Sequence, residues 1–148
     1  MTSDPFDLQR FRAAQEQGGA YATALAELRA GHKRSHWIWF VFPQIDGLGS
    51  SPMARRYAIR SLAEARAYLA DNVLGPRLHG CCEALLALDA NANADAVLGG
   101  IDAIKLRSSM TLFELAAPDD PTFTRVLERY YDGQTDAATE RLLATTES

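Results

Sequence analysis

Three times in this chain an acid or a serine stands directly before a proline, at Asp4-Pro5, Ser51-Pro52 and Asp120-Pro121. An Asp or Ser oxygen accepts the orphan N–H groups of a first helical turn, and a proline in that turn loses no hydrogen bond. Each pair therefore signals a helix start. After the first and third, apolar residues recur at helical spacing until glycine stops the pattern. No segment alternates with period two beside a partner strand. Neither Asp46-Gly47 nor Asp132-Gly133 joins two apolar runs as a hairpin turn would. The chain reads as all-α, one compact domain over residues 1–148 with about seven to eight helices.

Phe6, Leu8, Phe11 and Ala14 form the first stripe, ended by Gly18-Gly19, and Tyr21, Leu25 and Leu28 form the second, with Gly31 at its C-cap. Ser61 and Glu64 have the spacing of a capping box. Gly75-Pro76 opens a helix whose buried side is Leu78, Cys82, Leu85 and Leu86 and whose end is expected near Asp89. A short turn over 94–98 leads through Gly99-Gly100 to a helix from about Asp102 to Ala116, ended by Pro118. Phe123, Val126, Leu127, Tyr130 and Tyr131 face inward on the next helix, which Gly133 closes. Thr135 is the expected cap of a last helix, with fraying after Leu143.

A length of 148 residues suffices for one core without metal or disulfide staples. No apolar run reaches the length of a membrane span, and the N-terminal stretch lacks an export pattern, so the cytoplasm is the expected compartment. Cys81 and Cys82 are neighbours, which strains a mutual disulfide, and they are expected as reduced packing residues. The formal charge of -4 argues against general nucleic-acid binding. Locally the balance reverses: from Gly31 to Arg60 the bases Lys33, Arg34, Arg55, Arg56 and Arg60 face Asp46 alone. That polarity suits a small anionic ligand, although a solvated surface asymmetry produces the same count.

Inside this basic segment, "KRSHWIWFVFPQ" holds both tryptophans of the chain and ends on Pro43 and Gln44. Periodicity alone leaves helix or strand open for Trp37 to Phe42. Context favours a short buried helix capped by Ser35, because an isolated strand would leave its backbone groups unpaired. The block is then either a core nucleus or the wall of a ligand site, with one indole face open beside Arg34, Gln44 and Arg55.

The segment "AIKLRSSMTLFELAA" places Leu106, Met110 and Phe113 together on a helical wheel, with Ile104, Thr111 and Leu115 on another side. Arg107 and Glu114 make the plainly charged outward stripe. Lys105, Ser108 and Ser109 are neighbours on a side bordered by leucines. A sheltered ammonium there needs an internal carboxylate or a bound anion, unless it snorkels from the rim. The two serines can also bond the carbonyl one turn back. "GLGSSPM", between these segments, lacks the Lys-Ser/Thr ending of a phosphate loop, but Ser51-Pro52 with Arg55 and Arg56 still forms a helix start of the kind that attracts anions.

"KRSHWIWFVFPQIDGLG", "SPMARRYAI" and "KLRSSMTLF", with "DPFDLQRF" and "VLGPRL", closely resemble the family known as domain of unknown function 1810, DUF1810, from about Asp4 to Leu143. The resemblance implies a small all-helical protein and transfers no reaction. Some members carry the label calpastatin, yet inhibitor repeats of that kind are disordered and no such stretch occurs here. The positions carrying the pattern include His36, Trp37, Trp39, Gln44, Arg55, Tyr57, Lys105, Ser108 and Ser109.

From the residues, the favoured expectation is a pocket for a small anionic or nucleotide-like ligand. The indoles would stack, Arg55 and Lys105 would supply charge, and Gln44 and Ser108 would supply hydrogen bonds. A hydrolase or transferase working there would use His36 or another group as acid or base. No Ser-His-Asp order, carboxylate pair, cofactor motif or metal spacing singles out a reaction. The alternatives are a helical interaction module or homodimer without catalysis, and a regulator whose distinctive residues serve folding. The ligand expectation requires the Lys105 amine to meet an indole at a shared hollow.

Overall fold

Asp4 caps a helix that begins later than its proline suggests. Its two carboxylate oxygens accept the N–H groups of Leu8 at 2.8 Å and Gln9 at 2.9 Å. Asp7, at φ 52°, keeps the intervening residues out of the helix. The computed structural model describes residues 3–146. Its helices are α1 (Gln9–Glu16), α2 (Ala20–Ala30), α3 (Ile38–Val41), α4 (Pro52–Arg56), α5 (Leu62–Ala70), α6 (Leu74–Leu86), α7 (Ala94–Leu98), α8 (Gly100–Ala116), α9 (Pro121–Tyr131) and α10 (Ala137–Thr146). A 3₁₀ turn at Gln17–Gly19 joins α1 to α2. Among the described residues no strand forms, and the one extended contact is a parallel bridge between Ile45 and Ile59. The all-α, single-domain expectation holds, with seven helices of eight residues or more among those described.

Helix α8 is the axis, packed by α5, α7, α9 and α10, while α6 lies between α2 and α9. A run of rings passes through the middle: Phe11 meets Tyr68 edge-on at 5.1 Å, Tyr68 meets Phe113 at 5.4 Å, and Phe113 meets Phe123 at 5.6 Å. These contacts bind α1, α5, α8 and α9 together, and edge-on ring pairs add about 1 kcal/mol beyond their buried area. Gln15 joins this core through its amide, which donates to Phe40 O at 2.7 Å and the Tyr68 hydroxyl at 3.1 Å. At Gly75 a Cβ would lie 2.1 Å from the carbonyl oxygen of Leu69. This glycine permits the close turn from α5 into α6.

Arg10 fastens α1 to the segment before α5. Its five N–H groups go to the carbonyl oxygens of Arg56, Phe6, Asp7 and Ala58 and to Glu64 Oε2. Glu64 is only 2% exposed, so this pair is a buried one. Ser61 Oγ accepts the Glu64 N–H at 3.1 Å, as the capping-box spacing predicts, while Glu64 Oε1 reaches back to the N–H of Arg60 rather than that of Ser61.

Several local expectations are corrected. Ser35 is not the cap of α3; its hydroxyl donates to Glu27 across the turn. Asp136, not Thr135, caps α10, accepting the Thr139 N–H and hydroxyl. Helix α6 ends at Leu86, before Asp89. Arg107 and Glu114 do not simply face water: Arg107 donates to Gln134 O and Thr135 O, and Glu114 accepts from Thr124 Oγ1 at 2.7 Å. The exposed side of α8 instead carries Ile104 and, less so, Leu115. Helix α10 continues past Leu143 to Thr146, and the expected fraying of the last two residues lies outside the described part. Cys81 and Cys82 are free and buried, and burial pushes the Cys81 thiol up to about 12, which keeps it protonated. Among the described residues no helix is long and apolar enough to cross a membrane.

Candidate functional site

Glu27, on α2, organises the aromatic block from a distance. Its Oε1 accepts the N–H groups of Arg34 at 2.9 Å and Ser35 at 3.0 Å and the indole Nε1 of Trp37 at 2.8 Å, while Oε2 accepts the Ser35 hydroxyl at 2.6 Å. Burial alone would raise this carboxyl, but the bonds from Ser35 Oγ, the Arg34 N–H, Trp37 Nε1 and the Ser35 N–H outweigh it and hold the group down at about 2. The carboxylate thus turns Trp37 inward. Trp37 is buried against Phe42, ring centroids 6.2 Å apart, and cannot act as a stacking surface for a ligand.

Trp39 takes the opposite direction, because residues two apart on a helical turn lie on opposite sides of it. It stays half-buried and forms a wall between two spaces. On one side, with Gln44 and Tyr57, lies a cleft of about 10 Å³, room for one water at most. On the other lies an open hollow of about 350 Å³, lined also by Lys33, His36, Asp102 and the turn from Leu98 to Ile101.

Beside this hollow, two indoles, two ammoniums and one carboxylate follow one another in the order Trp37, Lys33, Asp102, Lys105, Trp39. Lys33 Nζ stands 5.0 Å from the Trp37 ring centroid and 2.8 Å from Asp102 Oδ2. Lys105 Nζ stands 5.0 Å from the Trp39 ring centroid and 3.7 Å from Asp102 Oδ1. Both ammoniums are therefore held by the partly exposed Asp102 carboxylate and a ring face, while the ionised Glu27 lies behind the Trp37 indole at the end of the row. Lys33 also anchors the aromatic segment to the last turn of α7, just before the α7–α8 turn, its backbone N–H donating to Val97 O at 2.7 Å. That turn is Gly99-Gly100, with open space over both Cα atoms and no side chain capping the first turn of α8.

The expected site residues separate accordingly. His36, exposed at the mouth, and Trp39 line the hollow, and Lys105 covers the Trp39 ring. Gln44 and Tyr57 lie on the far side of Trp39, and Tyr57 is buried against Phe11 and Phe40. Arg55 lies in a different hollow altogether, with Asp7, Arg10, Arg56 and Arg60. Ser108 is committed inside the fold, donating to Ile104 O at 3.2 Å and to Asp136 Oδ2 at 2.9 Å. Ser109 follows Lys105 by one turn, is 0% exposed, and has the one fully buried side-chain oxygen among the described residues without a hydrogen-bond partner.

Three contributors were not among the expected site residues: Lys33, which entered only as part of the basic segment, Asp102 and Glu27. Asp102 precedes Lys105 by three residues on one helix face, and that spacing was a sufficient signal. Glu27 carried no such signal, since its partners are seven to ten residues away across a turn.

A sequence profile of one protein family matches residues 5–143 of the chain. No curated protein gives a significant match. Among solved structures, the chain is similar to the conserved hypothetical protein Rv1873 from Mycobacterium tuberculosis. The two share 50% identity and a TM-score of 0.91, with 95% of this chain and 99% of that chain covered. With a profile match over nearly all of its length, this chain belongs to the family described as Protein of unknown function (DUF1810).

Proposed function

We propose that the protein binds a small anionic, nucleotide-like ligand in the hollow beside Trp39. The observation that carries this reading is the Lys105 ammonium held over the Trp39 ring next to Asp102 and Lys33. A hollow of about 350 Å³ is within the usual range for small-molecule sites. Trp39, Leu98 and Ile101 offer apolar surface for a ring, and the Lys33 ammonium in the lining, with Lys105 over Trp39, supplies donors for a phosphate or carboxylate. Arg55, Gln44, Tyr57 and Ser108 have no part in this narrower site. A hydrolase or transferase step at this position would draw its acid–base group from His36.

The test is a titration with adenosine mono- and diphosphate, read by tryptophan fluorescence, on the wild type and on Lys105→Met. Saturable quenching in the wild type, lost in the variant while the fold persists, supports the reading. Unchanged fluorescence in the wild type up to millimolar nucleotide removes it.

A second reading, an interaction module or homodimer, is favoured by Ile101 and Ile104, which are 74% and 67% exposed on α8 beside the same hollow. It expects light scattering to find a dimer that Trp39→Ala or Ile101→Asp dissolves. A monomer at all concentrations counts against it.

A further inference from the structure

Arg55, which the sequence placed with the tryptophans, belongs to a second hollow of about 200 Å³ that shares no lining residue with the first. We infer that this hollow, between the N-terminal segment and α4–α5, is a separate site for a compact phosphoryl anion such as a diphosphate group.

Its charge is the first argument. Arg55, Arg56 and Arg60 line it with Asp7 as the single acid, in a chain whose net charge is -4. Arg10 also lines it, but all five of its N–H groups are taken and Glu64 balances its charge. Arg55 and Arg60 are exposed, and neither side chain has a partner among the described residues. Among the described residues Arg56 donates only its Nε–H, to the Tyr57 hydroxyl at 3.2 Å, and its two terminal nitrogens have no partner there. Three guanidiniums facing one space repel one another, and an oxyanion bound between them relieves that repulsion through paired N–H···O bonds.

Rigidity is the second argument. Arg10 holds the carbonyls of Arg56 and Ala58, Glu64 holds the N–H of Arg60, and Ile59 is bridged to Gln44 and Asp46. The backbone that carries the three guanidiniums is thus fixed before any ligand arrives, while the guanidiniums themselves stay uncommitted. Preorganisation of this kind lowers the ordering cost of binding.

The ligand class follows from what the hollow lacks. None of the residues lining it carries a ring, and Tyr57, next to Arg56, is buried, so the lining offers no face for stacking a base or a sugar. Recognition here rests on charge and the guanidinium fork alone, which selects a phosphoryl group over a whole nucleotide.

Calorimetric titration of inorganic pyrophosphate tests the site, with ³¹P line broadening as a second reading. The proteins compared are the wild type, the double variant Arg55→Gln/Arg60→Gln, and Lys105→Met. Both altered arginines are exposed, so the double variant is expected to melt as the wild type does. Saturable binding in the wild type, retained in Lys105→Met and weakened at least tenfold in the arginine variant, is the expected outcome. Equal binding by the arginine variant, or no saturable signal in the wild type, overturns the proposal. Loss in Lys105→Met alone would assign pyrophosphate to the Trp39 hollow and also overturns it.

Discussion

The ammonium of Lys105 lies 5.0 Å from the centroid of the Trp39 ring, and Asp102 steadies it from 3.7 Å. A partly exposed cation–π contact contributes about 0.5–1 kcal/mol, and an exposed helix pair less. Lys105→Met is therefore expected to lower the melting temperature by only about 3 °C. Trp39→Phe is expected to be similarly mild. Trp37→Phe leaves a buried gap and removes the donor that Glu27 accepts, for a loss of about 2–4 kcal/mol. Denaturant melts of the three variants check the contrast, and equal losses for the two tryptophans would contradict the division into wall and core.

Glu27 makes the acid limb of stability steeper. Its carboxyl is held at about 2 in the folded chain against an ordinary 4.5. A depressed value means that the contribution is complete above the ordinary value and fades as pH falls toward the folded one. Glu27→Gln is expected to cost about 2 kcal/mol at neutral pH. That gap should narrow between pH 4.5 and about 2. Urea midpoints measured at half-unit pH intervals on both proteins show whether the curves converge.

His79 pins α6 to the cap of α9. One ring nitrogen meets Gly75 O at 2.9 Å and the other meets Asp120 Oδ2 at 2.5 Å. Both partners accept only, so both bonds form together only in the protonated ring. Burial pulls the ring's value down, but the bonds to Asp120 and Gly75 and the charges of Asp120 and Glu83 outweigh it, and the net direction is upward from 6.5. A raised value gives stability that is complete below the ordinary value and lost as pH rises through the folded one. The melting temperature of the wild type should thus fall above pH 6.5 relative to that of His79→Gln, and a parallel pair of curves would refute the pin.

Ser108 and Ser109, adjacent in sequence, should respond oppositely to alanine. Ser108→Ala takes a donor from Asp136 at the start of α10 and should cost about 1–2 kcal/mol. Ser109→Ala removes a buried hydroxyl that has no partner among the described residues and should leave stability unchanged or raise it by about 1 kcal/mol. Thermal melts of the two single variants decide the matter. A loss at Ser109 as large as that at Ser108 would mean that its oxygen is bonded after all.

Much of the helical plan was legible because it rests on local chemistry. Asp120-Pro121 starts α9, Ser61 and Glu64 cap α5, and Gly31 ends α2 at φ 75°, each through bonds that span a few residues. The meeting of Lys105 with an indole was also within reach, since one helix face and one aromatic block had to find each other. The particular indole was not. Trp37 and Trp39 are alike in sequence, and Glu27, on another helix, turns the first inward. Nor could wheel geometry tell that Ile104 faces water while Arg107 and Glu114 find partners on neighbouring segments.

By itself, the sequence determined the helices, their caps and the pool of cationic and aromatic residues, because turns and periodicity are set by neighbours along the chain. Only the tertiary structure sorted that pool. It drew Lys33, Asp102 and Trp39 to one hollow, laid Lys105 over the Trp39 ring beside it, sent Arg55 to another, and enclosed Ser108 and Ser109 within the helix packing. The physical reason is that a side chain's surroundings depend on which distant backbone arrives beside it, and no local pattern encodes that arrival.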